Sequence, residues 1–316
     1  ASHSDSPSWK IKADTVENDG CRRLSVEGYG GMIMSTWLDR PLTVGGRALV
    51  KTEDGIESRL VYLDRDLLVI PSLAIHFQRD INKGHTFNPQ VDMQPLWGPA
   101  GSRTLTDLVA ESLGVEAADI LDSDLQLVTR QAPTQIGPDG EFFMAPRIDD
   151  LECAATTLLG FLDASGETDS ACAPVWAMFD NEEVGSSTRQ GADSSFLRDV
   201  LDRILNAIPH SAQAQAQAFA NSFVLSADNA HAVHPNFADK ADPCNKVILG
   251  KGVVVKVNAS QKYTTSGLTG AIFKEICRKN NVPVQVFANR ADLPGGSTLG
   301  NLAMAQVSMN LSLIHI

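Results

Sequence analysis

The run Phe179-Asp180-Asn181-Glu182-Glu183-Val184-Gly185-Ser186 decides how the rest of the chain reads. It follows an apolar stretch, residues 175–179, that has the character of a short strand. Two adjacent carboxylates therefore stand where a strand runs out into a loop. In open α/β sheets, ligands collect at the carboxyl ends of strands. Neighbouring acids repel each other, and a cation beside them is the simplest way to keep both ionised. One of the pair can then hold a metal while the other handles a proton. The alternative is an acidic turn in solvent.

Outward from this run, the chain from residue 142 onward alternates strands with helices. Residues 150–162 have helical spacing, with Leu151, Ala154, Ala155, Leu158, Leu159 and Leu162 on one side. Residues 195–208 and 269–279 read as further helices, and 223–226, 253–257 and 284–288 as short apolar strands. Alternation of this kind implies an α/β fold, a parallel or mixed sheet flanked by helices. Upstream, residues 13–135 have a β-rich texture. Strands are expected at 31–37, 48–52, 59–63 and 67–70, and a helix at 104–113 with Thr104 or Thr106 as its N-cap. The biased run at 211–218, SAQAQAQA, reads as a solvated helix end or loop.

The bulk properties set the class. With 316 residues, 43% hydrophobic and 20% charged, the chain can bury a sizeable core. A formal charge of −12 disfavours nucleic acid and anionic membranes as partners. The five cysteines are odd in number and none shows CxxC spacing, which argues against a disulfide framework and against a thiolate zinc site. A reducing, cytoplasmic setting fits that usage. No apolar run has the length of a membrane span.

Three further runs carry chemistry. Asp228, His231 and His234 follow the strand at 223–226, and Asp and His suit a borderline metal that takes O and N ligands. The alternative there is an Asx-type turn with two surface histidines. His3 and Asp5 lie two apart, so in an extended segment they share a face and the carboxylate can orient the ring. Asp149 and Asp150 stand just before a helix, where an acid is commonly an N-cap, and that is the reading preferred for Asp150.

The strings SHSDSP, APRIDDL, DNEEVGS, SADNAHAVHPN, KVNASQKY and LPGGSTLG occur in the same order as in M18 aminopeptidases, a family that includes aspartyl aminopeptidases and aminopeptidase I. STWLDRPLTVGGRALV and LLVIPSLAIHFQRDIN in the β-rich region are similar too. The resemblance covers nearly all of residues 1–310 and is closer to the bacterial branch. It implies that His3, Asp149, Glu183 and Asp228 are ligands of two zinc ions, Asp149 bridging them, with Glu182 as general base and Asp5 orienting the histidine. It implies substrate-pocket roles for His231, Lys256 and Tyr263. It also implies that His76 reaches a neighbouring subunit's site. The family's fifth ligand, a histidine in a QLAMHS-like string, has no counterpart here.

The resemblance further implies a catalytic domain of residues 1–12 and 137–310 with a β-rich dimerisation domain, 13–136, inserted into it. The expected partners are peptides with a free N-terminus and further copies of the chain, up to a dodecamer. The expected reaction is removal of one N-terminal residue, acidic or neutral. The alternatives are a related co-catalytic zinc deacylase or carboxypeptidase, and a non-enzymatic scaffold with a degenerate site. Residues 311–316 resemble translated transposon mosaic-end DNA and read as a non-native tail, the alternative being a short apolar strand. His315 is accordingly not counted as a ligand.

Overall fold

The computed structural model describes residues 1–166 and 172–315. The chain divides into two compact units, one made of Ala1–Ser6 and Arg147–Ile316, the other of Pro7–Pro146.

The first unit opens with β1, Ser2–His3, buried at both positions. The chain then builds the second unit from β2 (Ser8–Asn18), β3 (Cys21–Tyr29), β4 (Leu42–Thr52), β5 (Gly55–Tyr62), a single turn α1 (Pro89–Asp92), β6 (Leu96–Pro99), α2 (Leu105–Leu113) and β7 (Ile120–Thr129). Six strands form one antiparallel sheet in the order β5-β4-β7-β2-β3-β6. Its buried face gathers Trp9, Leu24, Val26, Leu42, Val44 and Leu127 into one core with Ile70 and Met93. Helix α2 adds Leu105, Leu108 and Val109 to that core. Thr104 starts the helix with a capping box, its hydroxyl accepting from the Asp107 amide while Asp107 accepts from the Thr104 amide. A short hairpin, β8 (Thr134–Ile136) with β9 (Phe142–Met144), closes the unit.

Two expected strands are absent as such. Residues 34–37 form a 3-10 turn, set between Gly30 and Asp39, both at positive φ, where a ladder cannot continue. Residues 67–70 make only isolated bridges, Leu42 with Leu68, Leu38 with Ile70 and Val69 with Leu96. Conversely, β2, β3 and β7 are long strands that the hydrophobic pattern did not reveal. Their solvent faces carry charge, and β2 is broken by register shifts between Ile11 and Ala13 and between Ala13 and Thr15, so strict alternation is lost.

Back in the first unit come α3 (Ile148–Ala164), β10 (Met178–Phe179), α4 (Phe196–Asn206), α5 (Ala212–Asn221), β11 (Phe223–Asp228), β12 (Val253–Val257), α6 (Gly267–Lys279), β13 (Val284–Ala288), α7 (Leu299–Gln306) and β14 (Asn310–His315). β1 lies parallel to β10, with His3 opposite Phe179. A four-stranded mixed sheet runs β11-β14-β12-β13, antiparallel only between β14 and β12. Alternation along its strands separates two cores. Ala227, Val255 and Ile314 meet Cys153 of α3 and Phe273 and Cys277 of α6 on one side. Val254, Phe287, Leu311 and Leu313 meet Val247 and Tyr263 on the other.

Three features differ from the sequence reading. The apolar stripe of α3 faces outward at Leu151, Leu159 and Leu162, while Asp150, Cys153 and Ala154 face inward. Of the strand expected at 175–179, only Met178–Phe179 is paired. The segment expected as a tail is an inner strand, with Leu313 and His315 fully buried, and Ile316 lies outside the described residues.

Candidate metal centre

Four chain segments of the first unit converge at the carboxyl ends of β1, β10 and β11. β1 delivers His3, which is 1% exposed. Its Nδ1 turns back toward Asp5, 3.1 Å from the Asp5 carbonyl oxygen and 3.3 Å from Oδ1. With Nδ1 engaged there, Nε2 points the other way, 3.3 Å from Asp149 Oδ1 and 3.8 Å from Asp228 Oδ1. An imidazole nitrogen facing two carboxylate oxygens is a donor set that suits zinc. The orientation of the ring by a carboxylate on its far side is the usual support for such a ligand.

The loop after β10 is placed by Asp5. Glu182 N–H donates to Asp5 Oδ1 and Glu183 N–H to Oδ2, both at 3.1 Å. Asn181, just before, is at φ 59°, which lets the chain turn sharply out of β10 and present two successive amides to one carboxylate. Asp5 thus orients the His3 ring and fixes the backbone of the Glu pair.

The electrostatics are those of a half-buried acidic cluster. Burial pushes the carboxyls of Glu182 and Glu183 each up to about 7, with Asp149 and Asp228 adding to the repulsion. Burial likewise pushes Asp150 up to about 7. Burial opposes the charge of His3, yet Asp149, Asp228 and Asp5 together hold its pKa above the ordinary histidine value. Asp228 is also opposed by burial, and its bond to His3 brings its pKa below the usual value.

Ligand atoms of His3, Asp150 and Asp228 lie within 4.8 Å of one another, a grouping that takes in Asp150 and leaves out Asp149. The hydrogen bonds decide between the neighbours. Asp150 Oδ2 already accepts the backbone N–H of His3 at 3.0 Å, and the residue is fully buried. Asp149 Oδ1 faces the ring nitrogen itself, and its side chain is 56% exposed, open to an entering hydrated ion. Asp149 is thus the acid of the two that faces the ring nitrogen and is reachable from solvent. The N-cap reading of Asp150 needs correction, since its carboxylate serves β1. The adjacent acids in the sequence marked the place but could not say which faced the ring.

Lys256 lies 7% exposed on β12, its ammonium 5.3 Å from the ring of Tyr263 and 5.4 Å from that of Phe287. Burial lowers its pKa, while Asp228, Asp149 and Glu182 oppose that shift. Tyr263 is buried, its hydroxyl accepting from Asn289 Nδ2 at 3.1 Å. His231 meets Phe287 edge-on, ring centroids 5.4 Å apart, and burial, then Lys256, lower its pKa. These three side chains therefore share the Phe287 neighbourhood. His234 accepts from the Asn236 amide in the loop beyond. His76 belongs to the other unit, in an exposed turn. An open groove of about 870 Å³, lined by Asn258, Ser266, Lys274 and Arg290 among others, contains none of the candidate ligands.

A family model described as aminopeptidase I zinc metalloprotease (M18) matches residues 1–311. A protein of Clostridium acetobutylicum named "Probable M18 family aminopeptidase 2" is 40% identical over 316 residues, covering 97% of this chain and 72% of its own length. Among solved structures, a chain in the cryo-EM structure of the Ape4 and Nbr1 complex aligns with a TM-score of 0.94 at 34% identity, covering 99% of this chain and 65% of that one. The S. cerevisiae mApe1 dodecamer aligns at 0.83 with 26% identity, covering 100% of this chain and 72% of that one.

Proposed function

The chain belongs to the M18 family of zinc metalloproteases, and from that premise we propose that the protein is an aminopeptidase that removes the N-terminal residue of peptides at a two-zinc centre. His3, Asp149, Glu183 and Asp228 would hold the metal. The observation that carries this reading is the aim of His3 Nε2 at Asp149 and Asp228 while Nδ1 is held by Asp5. Bound zinc supplies Lewis acidity and a hydroxide nucleophile near neutral pH.

The protein's own groups account for the rest. Glu182, raised to about 7, is poised to accept a proton from the attacking water and return it to the leaving amine. Asp5 keeps that carboxylate in register with His3 by holding the backbone on either side. Lys256, a buried cation beside the acidic cluster, would attract the carboxylate of an acidic N-terminal side chain, which favours Asp or Glu over neutral residues. His231 and Tyr263 would wall the same pocket. His76 is assigned to the site of a neighbouring copy, and self-association through the β-rich unit is proposed on the likeness to the mApe1 dodecamer. A cytoplasmic setting fits the cysteine usage.

A panel of aminoacyl chromogenic substrates with zinc supplied tests this reading. Faster cleavage of Asp and Glu derivatives is expected, with that preference lost in Lys256→Met. Turnover of N-blocked peptides at an equal rate would indicate a deacylase or other hydrolase instead. Glu182→Gln should lower kcat by about 10²–10⁴-fold with zinc content unchanged.

A further inference from the structure

We infer that Asp150 is a positioning residue for the metal centre, acting on His3 through the backbone and taking no part as a ligand. This rests on the reading of the site above and extends it to a side chain outside the proposed ligand set.

The side chain is fully buried, yet it is a carboxylate. Oδ2 accepts the His3 N–H at 3.0 Å, and a side-chain bond with Cys153 also favours the ionised acid. A buried acid is costly to keep, and a neutral amide or an apolar side chain would be cheaper there. What the position gains is the bond to β1. That strand is only two residues long, and the bonds that tie it, Ser2 and Ser4 N–H to Ala177 and Phe179 and Ala1 to Leu225 and Ala227, leave the His3 N–H to Asp150. His3 has its ring held by Asp5 and its backbone held by Asp150, one contact from each side of the Cα.

Geometry also separates the two neighbouring acids. Residues 149 and 150 both lack helical dihedrals, and the chain turns between them before α3 is established. Asp149 therefore faces the ring nitrogen while Asp150 faces the amide of the same histidine. The adjacent pair grips one histidine at two points, and Asp149, the more exposed of the two, is the one assigned to the ion. The bond to β1 needs an acceptor oxygen and does not need a negative charge.

The experiment compares the parent chain with Asp150→Asn, Asp150→Ala and Asp149→Asn, reading cobalt(II) uptake by its visible spectrum and His3 amide hydrogen exchange in the metal-free state. Asp150→Asn keeps an acceptor and should retain both cobalt affinity and amide protection. Asp150→Ala should lose protection and bind cobalt roughly 10- to 100-fold more weakly. Asp149→Asn should lose affinity with the His3 amide still protected. Should Asp150→Asn bind cobalt as poorly as Asp149→Asn, Asp150 is a ligand and the inference falls. Unchanged affinity and protection in Asp150→Ala would also overturn it, leaving the metal reading intact. A parent chain that takes up no cobalt would sink the metal reading and this inference together.

Discussion

At the scale of single residues, the centre is a cluster of acids whose protonation opposes the usual trend. Asp150, Glu182 and Glu183 are raised to about 7 in the folded chain. An unfolded carboxyl gives up its proton near pH 4, so between about 4 and 7 the folded state binds more protons than the unfolded one. Stability of the metal-free chain therefore falls as pH rises through that window. His3, raised above its ordinary value, adds to the fall above about 6.5, where the unfolded ring would deprotonate. Bound zinc replaces those protons and should reverse the slope. Thermal melts at pH 5 and 7.5, with chelator and then with zinc, check this. A higher melting point at pH 7.5 in chelator would contradict it. The gathering of Asp, Glu and His could be read from sequence, because such residues at strand ends are specified by chemistry and position. The division of labour between Asp149 and Asp150, and the double use of Asp5, could not, because both depend on which lone pair meets which N–H.

At the scale of elements, what could be read followed how clean the local pattern was. β12 and β13 were placed to the residue because each is a short apolar run between polar turns. β7 was missed because its buried positions, such as Leu125 and Leu127, are spaced among aspartates facing solvent. α3 was expected to bury its leucines, yet Leu159 is 62% exposed. Strand β14 is the clearest test at this scale. It lies between β11 and β12, each of which pairs with it and not with the other. Leu313→Ala should cost about 2–5 kcal/mol in urea unfolding, whereas Leu159→Ala on the open face of α3 should change stability by no more than about 0.5 kcal/mol. If the strand is undocked in solution, as a foreign tail would be, the two substitutions will have equal and small effects. The family match ends at residue 311, the second residue of this strand.

At the scale of the whole molecule, the chain interrupts one unit to build another. The unit Pro7–Pro146 is continuous in sequence and has its own core around Trp9, Leu42 and Leu127. Expressed alone, residues 7–146 should give a dispersed amide spectrum and a cooperative melt, while Arg147–Ile316 alone lacks β1 and should bind no zinc. A featureless spectrum for residues 7–146 would mean that its core is insufficient by itself. Among the described residues no helix is long and apolar enough to cross a membrane.

The pairing of β1 with β10 has a consequence for biosynthesis. His3 emerges from the ribosome among the first of these residues and then waits while 4 to 178 are translated before Met178 and Phe179 can meet its strand. Asp228 comes later still. On the proposed ligand set, an ion captured early would have only one of its partners available, and loading would follow synthesis of Asp149, Glu183 and Asp228. The intervening unit has that interval in which to condense on its own.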